Sequence, residues 1–389
     1  MKRLKLDEVC DILNGYAFKS SKYSNKGYRI IRITNVQKGI IVDESPKYYS
    51  DKDMVGLERY KLFENDILLS LTGNVGRVGI MNNSLLPAAL NQRVACLRLK
   101  NDDVCYEYLF YYLNSDEFEN LCIENANGIA QKNLSTSFLK TVSIPIPPLD
   151  IQKKIIEVLD KSQELVDKRK EQITALSKLK QSIFYDMFGD PEDYSNNSKR
   201  LKIEDLFRVQ TGSTPSRKEN KYWENGNIPW IKTTQLQNDL ILTVDEYVTE
   251  QAVNERNLKL FPENTILIAM YGQGKTRGRT GLLRFPATTN QACAALIPKK
   301  EINLSFIWMQ LILRYEALRD LGRGGNQPNL NLSLIRGFDV LFPDENKQKK
   351  YSEITSEIDT TLNLVKHSLE EMDTLYNSLM QQAFKGERF

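Results

Sequence analysis

Histidine and cysteine are scarce in this chain of 389 residues, which carries one histidine and five cysteines. The lone His367 cannot supply the imidazoles of a zinc hydrolase, and a Ser-His-Asp enzyme would have to rest everything on it; its polar helical neighbours point to a solvated position. Cys10, Cys96, Cys105, Cys122 and Cys293 are odd in number and show no CxxC spacing. They argue against a disulfide framework or a zinc cluster and for a reducing, cytoplasmic setting. No run of about 18 uncharged apolar residues occurs, so no transmembrane helix is expected. The opening MKRLKLDEVCDIL is basic but lacks an apolar core and a small-residue cleavage site, so no signal peptide is expected.

What is present is an ordinary soluble composition, 41% apolar and 26% charged, in a chain long enough for two or more domains. The formal charge of +3 is close to neutral. It neither demands nor excludes nucleic acid, because local distribution matters more than the sum.

Residues 269–281, AMYGQGKTRGRTG, come close to a phosphate-binding P-loop. A true P-loop runs from a strand into a helix whose N-terminus holds the phosphates. Here Thr276 is followed by RGRTGLLRFPATTNQ, which has no helical period. The decisive comparison is internal: FENDILLSLTGNVGRVGI from Phe63 returns about 200 residues later as FPENTILIAMYGQGKTRGRTGL from Phe261, without Gly-Lys-Thr in the first copy. Asn91-Gln92 returns as Asn290-Gln291, RLKL as RLKI, QKNL as QPNL, and QKK as QKK, always in the same order. The chain is a tandem duplication, and the nucleotide motif is a mimic.

Each half divides into an α+β module and a long helix. Short apolar runs at 28–34, 66–71, 94–99 and 265–270, broken by Gly, Asn, Pro and Asp, predict strands; 106–114 and 306–318 read as helical. Ile155, Leu159, Val166, Ile173, Leu176, Ile183 and Met187 then recur near every 3.5 residues, as do Tyr351, Ile354, Ile358, Val365, Met372, Leu375 and Leu379. A helix over 151–188 would be about 57 Å long. Each seam is one-sided, so the two helices are expected to pair antiparallel as a coiled coil, giving a pseudo-twofold architecture. The boundaries are 1–149 for the first module, 150–189 for its helix, 190–198 for a polar linker, 199–345 for the second module and 346–389 for the last helix.

Basic residues gather in the glycine-rich loops: Arg77 in one half, Lys275, Arg277 and Arg279 in the other. Residues 199–343 carry 20 Lys/Arg against 14 Asp/Glu, an excess suited to a phosphate backbone. Arginine forks match phosphate oxygens or the guanine edge, although a tight turn with solvated charges gives the same pattern. Asn91, Gln92, Arg93, Asn290 and Gln291 precede a strand, where Asn and Gln either pair with adenine or bond backbone in a turn. Gln131, Lys132, Asn326 and Gln327 carry the same two readings. Trp223 and Trp230 fit a core better than a base stack, and Lys168–Lys170 reads as a helix face touching water or a partner.

These features together resemble the specificity subunit of type I restriction–modification systems. The resemblance rests on two modules each followed by a long helix, MFGDPE closing the first helix, PIPPLDIQKKIIEVLD opening it, and the paired stretches LLSLTGNVGRVGI and LIAMYGQGKTRGRTG. TGSTPSRK at 211–218, followed by Tyr222-Trp223, looks like the opening of a target-recognition domain; the first half has NGYAFKSSKY there instead. The resemblance implies a subunit without catalysis, and the sequence has neither the N/D-P-P-Y/F tetrapeptide of methyltransferases nor an evident acid–base carboxylate pair. It implies two target-recognition domains reading an asymmetric, bipartite site in double-stranded DNA, with the helices fixing the gap. It further implies two methyltransferase subunits and a restriction/translocase subunit as partners, with S-adenosylmethionine, ATP and Mg on those partners and no cofactor on this chain. DNA contacts are then expected from Arg77, Gln273, Lys275, Arg277 and Arg279, from Ser213, Thr214, Ser216, Arg217 and Lys218, and from Lys19 and Lys22 as first-half counterparts. The same architecture could serve another methylation-linked defence system, and a nucleotide hydrolase built on Lys275 is the reading from a different class.

Overall fold

The computed structural model describes residues 2–128, 132–195, 198–272, 274–322 and 329–385. The chain forms two compact units, Met1–Lys170 with Lys366–Phe389 and Glu171–Val365. In the first unit a four-stranded antiparallel sheet runs in the order Cys10–Asn14, Val94–Leu99, Ile67–Ser70, Val78–Ile80. Ile67–Ser70 is buried along its whole length. Its Ile67 and Leu69 pack with Leu109 and Phe118 of helices Tyr106–Leu113 and Asp116–Glu124. Leu68 points the other way, toward Ile31, Leu62 and Leu90. Successive side chains of a strand alternate faces, so a strand covered on both must be apolar without interruption.

The second unit repeats the order with Phe207–Thr211, Cys293–Pro298, Ile266–Ala269 and Thr280–Leu283, and adds Asp239–Ile241 in parallel at the edge. Even the register recurs: Ala95 lies opposite Leu69 and Ala294 opposite Ile268. A smaller sheet accompanies each, built on Tyr28–Ile31 and on Ile228–Ile231. The mixed α+β repeat expected from the sequence is present.

The two long helices are Leu149–Phe188 and Glu345–Lys385. Each begins on a buried glutamine that fastens the preceding proline segment: Gln152 Nε2 donates to the Pro147 carbonyl at 2.9 Å, Gln348 Nε2 to that of Pro343 at 2.8 Å. In the first unit Ile155 and Leu159 share a core with Leu379, Met380, Ala383 and Phe384. In the second unit Phe184 meets Tyr351 edge-on at 5.7 Å, and Lys180 pairs with Asp359. The start of one helix therefore packs on the end of the other, which is antiparallel pairing. The seam differs in detail from the sequence pattern. Phe184 is fully buried while its neighbours Ile183 and Met187 are half-buried, and Ile354 and Leu375 are 37% and 57% exposed. At those places the inward positions are Thr355 and Tyr376, one residue on, because a helix of 3.6 residues per turn drifts against a 3.5-residue count.

Candidate nucleic-acid interface

The glycine loops leave the central strand of each unit at the same end. In the first unit Leu71 N donates to the Arg93 carbonyl and Gly73 N to that of Lys132, both at 3.0 Å. The loop, Asn91–Arg93 and Lys132 are thereby gathered in one place. In the second, Met270 N donates to Ala292 O at 2.8 Å and Ser213 N to Thr289 O at 2.8 Å. Thr211 Oγ1 donates to the Gln291 carbonyl at 2.9 Å, and Thr214 Oγ1 to the Gln291 side chain. Residues 211–214, 290–291 and the root of the long loop form one cluster.

Each loop turns on a glycine with positive φ, Gly76 at +81° and Gly278 at +85°. The turn closes through Gly76 N to Ser70 O at 3.0 Å and Gly278 N to Ala269 O at 2.9 Å. A Cβ on Gly76 would stand 2.8 Å from Cys122 Cβ. Gly76→Ala is therefore expected to cost about 1–3 kcal/mol, from left-handed strain on a bulkier residue and the clash together; chemical denaturation of the variant checks it. In the second unit Tyr315 donates to the Lys275 carbonyl and Arg319 Nη2 to that of Gly274 at 3.2 Å, so a neighbouring helix, Tyr315–Asp320, holds the outer part of the loop. The loop then enters strand Thr280–Leu283 and not a helix. The phosphate-binding helix end that a P-loop needs is not at this position.

The basic residues separate into two electrostatic groups. Lys275 is exposed, and Arg77 and Arg279 are half-buried. Arg277 is only 9% exposed, and its Nε has no hydrogen-bond partner among the described residues; its first-half equivalent is the buried Val75. By contrast, Arg217 lies 3.6 Å over the Trp223 ring and 4.8 Å from that of Trp230, and pairs with Glu246 at 2.5 Å. Burial pushes the Glu246 carboxyl up, but Lys232 and Arg217 outweigh it and hold the group below its usual range. Lys22 pairs with Asp53 at 2.9 Å, which raises the lysine and lowers the carboxyl. Lys19 has an exposed side chain and donates its backbone N–H to the Tyr49 hydroxyl at 2.8 Å.

Among the amides, Asn91 Oδ1 accepts from Arg93 N at 3.3 Å and Asn290 Oδ1 from Ala292 N at 3.2 Å. Both carboxamide oxygens thus serve the local turn. Gln92, Arg93, Lys132, Ser216, Lys218 and Gln291 are exposed. Gln131, Gln273, Asn326 and Gln327 lie outside the described residues. Trp230 is 2% exposed and donates Nε1–H to the Ser213 carbonyl at 3.1 Å, which makes it a core residue that anchors the loop. His367 is exposed. The five cysteines are free, and burial pushes each thiol upward, Cys10 and Cys122 to about 12. None is poised as a thiolate nucleophile. Sequence reading missed Gln37 and Gln237, which receive Arg77 and Arg279; their recurrence 200 residues apart was the available signal.

Comparison with known proteins identifies this arrangement. The family model described as the type I restriction modification DNA specificity domain matches residues 1–175 and again 196–373. The Escherichia coli type I restriction enzyme EcoR124I/EcoR124II specificity subunit is 28% identical over 272 residues, which are 68% of this chain and 65% of that protein. The Escherichia coli EcoBI specificity subunit is 24% identical over 421 residues, 99% of this chain and 85% of that one. The crystal structure of the type I restriction–modification S subunit from M. genitalium shares the fold, with a TM-score of 0.54 at 18% identity over 98% of this chain and 96% of its own. Among the described residues no helix is long and apolar enough to cross a membrane. The chain belongs to the family of type I restriction–modification specificity subunits, with one DNA specificity domain in each half.

Proposed function

We propose that this chain is the DNA-reading, non-catalytic subunit of such a system, directing methylation and restriction to an asymmetric, bipartite site. The observation that carries the reading is one sheet topology written twice, with loops of different length and chemistry at the same end of each copy. One fold with two divergent loop sets fits two readers of different half-sites. The long helices are the spacer and the dock for two methyltransferase subunits, and a restriction/translocase subunit joins that core. Leu165, Leu179, Leu364 and Leu375, between 48% and 67% exposed on those helices, are apolar surface that such partners would cover. S-adenosylmethionine, ATP and Mg belong to the partners; adenines are flipped and methylated there.

The test is co-expression with a candidate type I methyltransferase subunit, followed by genome-wide mapping of methylated adenine. A two-part motif with a fixed gap, present only when this chain is present, is the expected result. Methylation indifferent to the chain would overturn the reading.

A further inference from the structure

The two glycine loops differ in length and sequence, yet one device is the same in both. The arginine directly after the positive-φ glycine donates from Nη1 to a glutamine side-chain oxygen, Arg77 to Gln37 and Arg279 to Gln237. Each glutamine is itself fixed, because its Nε2 donates to a backbone carbonyl three residues earlier, Thr34 O at 2.9 Å and Thr234 O at 2.8 Å. Both glutamines follow a short 3-10 turn, Ile33–Asn35 and Thr233–Gln235. Those turns are capped alike, with Arg32 N donating to Asn35 Oδ1 and Lys232 N to Gln235 Oε1. The amide oxygen is thus presented in one orientation in each half.

From this we infer that Gln37 and Gln237 are positioning residues, and that Arg77 and Arg279 are the sequence-neutral phosphate contacts of their halves; the inference rests on the DNA reading proposed above. Two arguments carry it. The first is charge. Arg29, Arg98, Arg217 and Lys22 all lie on carboxylates, whereas among the described residues neither Arg77 nor Arg279 has an acidic partner. An amide oxygen orients a guanidinium without neutralising it, which leaves a full positive charge for an external anion. The second is the duplication itself. Domains that read different half-sites cannot do so with an identical pair, but both must grip the same backbone. Phosphate contacts set register and carry no sequence information. Base reading then falls to what the halves do not share, residues 274–276 and 213–218 in the second and their different counterparts in the first.

The experiment uses the chain purified with its methyltransferase subunits and two duplexes of equal length, one carrying the methylated motif and one lacking it. Affinity is measured across a salt series for Arg77→Ala, Arg279→Ala and the Gln→Ala and Gln→Glu variants of Gln37 and Gln237. Arg→Ala should weaken both duplexes by the same factor, about tenfold, and make the slope of log affinity against log salt shallower by about one. Gln→Glu keeps an acceptor but supplies a negative charge, so it should match Arg→Ala. Gln→Ala should fall between that and wild type. A merely structural glutamine would leave the salt slope unchanged. The inference is overturned if an arginine variant changes the preference between duplexes at constant slope, or if Gln→Glu behaves as wild type. Should Gln→Ala fail to fold, Gln→Glu carries the test. A wild-type complex without preference for its motif overturns the DNA reading instead, so the two failures are separable.

Discussion

Phe184→Ala should lower stability to unfolding by about 3–5 kcal/mol, the range for emptying a buried aromatic site. Phe184 is fully buried, stacks on Phe306 at 5.5 Å and 21°, and meets Phe188 and Tyr351 at 5.1 and 5.7 Å. Phe306 belongs to a helix of the second module, while Phe184 and Tyr351 come from the two long helices. The cluster therefore fastens the module to both helices, and its loss removes side-chain area and several edge or stacked ring pairs, each worth about 0.5–1.5 kcal/mol beyond that area. Against a typical total of about 5–15 kcal/mol, the variant should begin to unfold at far lower urea. Leu179→Ala, at a residue 48% exposed on the same helix, is the control and should stay within about 0.5 kcal/mol. Equal midpoints for the two variants would show that the cluster does not anchor the module.

The duplication was legible because the physics behind it is local. A strand covered on both faces must be a continuous apolar run, so ILLS at 67–70 and ILIA at 266–269 announce themselves. Glycines that turn the chain beside a packed helix must remain glycines, so Gly76 and Gly278 align. The helical seams were legible as periodicity but not in phase: counting by 3.5 placed Ile183, Ile354 and Leu375 where the structure uses Phe184, Thr355 and Tyr376. The electrostatic state of the basic loop residues was less legible still. Arg217 and Lys275 look equivalent in sequence, but pairing of Ile228–Ile231 with Glu246–Val248 brings Trp230 and the carboxylate of Glu246 to Arg217. Nothing near residue 217 in the chain foretells that. Arg277 likewise reads as a surface charge and is buried, because its position repeats the core-facing Val75.

Replacing Gln273–Thr276 by a single asparagine, which gives the second loop the length of the first, should change half of the DNA motif and leave the other half intact. The segment lies between Gly272 and Arg277, where the first half has only Asn74 between Gly73 and Val75. Its removal deletes Lys275 and the backbone groups that receive Tyr315 and Arg319. The bonds that close the turn, Gly278 N to Ala269 O and Ala269 N to Arg279 O, have first-half equivalents in the shorter loop, Gly76 N to Ser70 O and Ser70 N to Arg77 O. Shortening is therefore compatible with the strand ends, and stability should fall by no more than about 1 kcal/mol, the scale of lost surface hydrogen bonds. Recognition should suffer much more, since a side chain paired with a base edge is worth about 1–3 kcal/mol of discrimination. Methylation at the parental motif should drop by about ten- to a hundredfold, and residual sites should be relaxed in one half-site only. Because Arg279 and Gln237 remain, the salt dependence of binding should stay close to wild type, which distinguishes this loss from that of Arg279→Ala. A parental motif methylated at full strength after the replacement would remove these residues from the reading surface, and base selection in the second half would then have to come from Ser213–Lys218 and Asn290–Gln291.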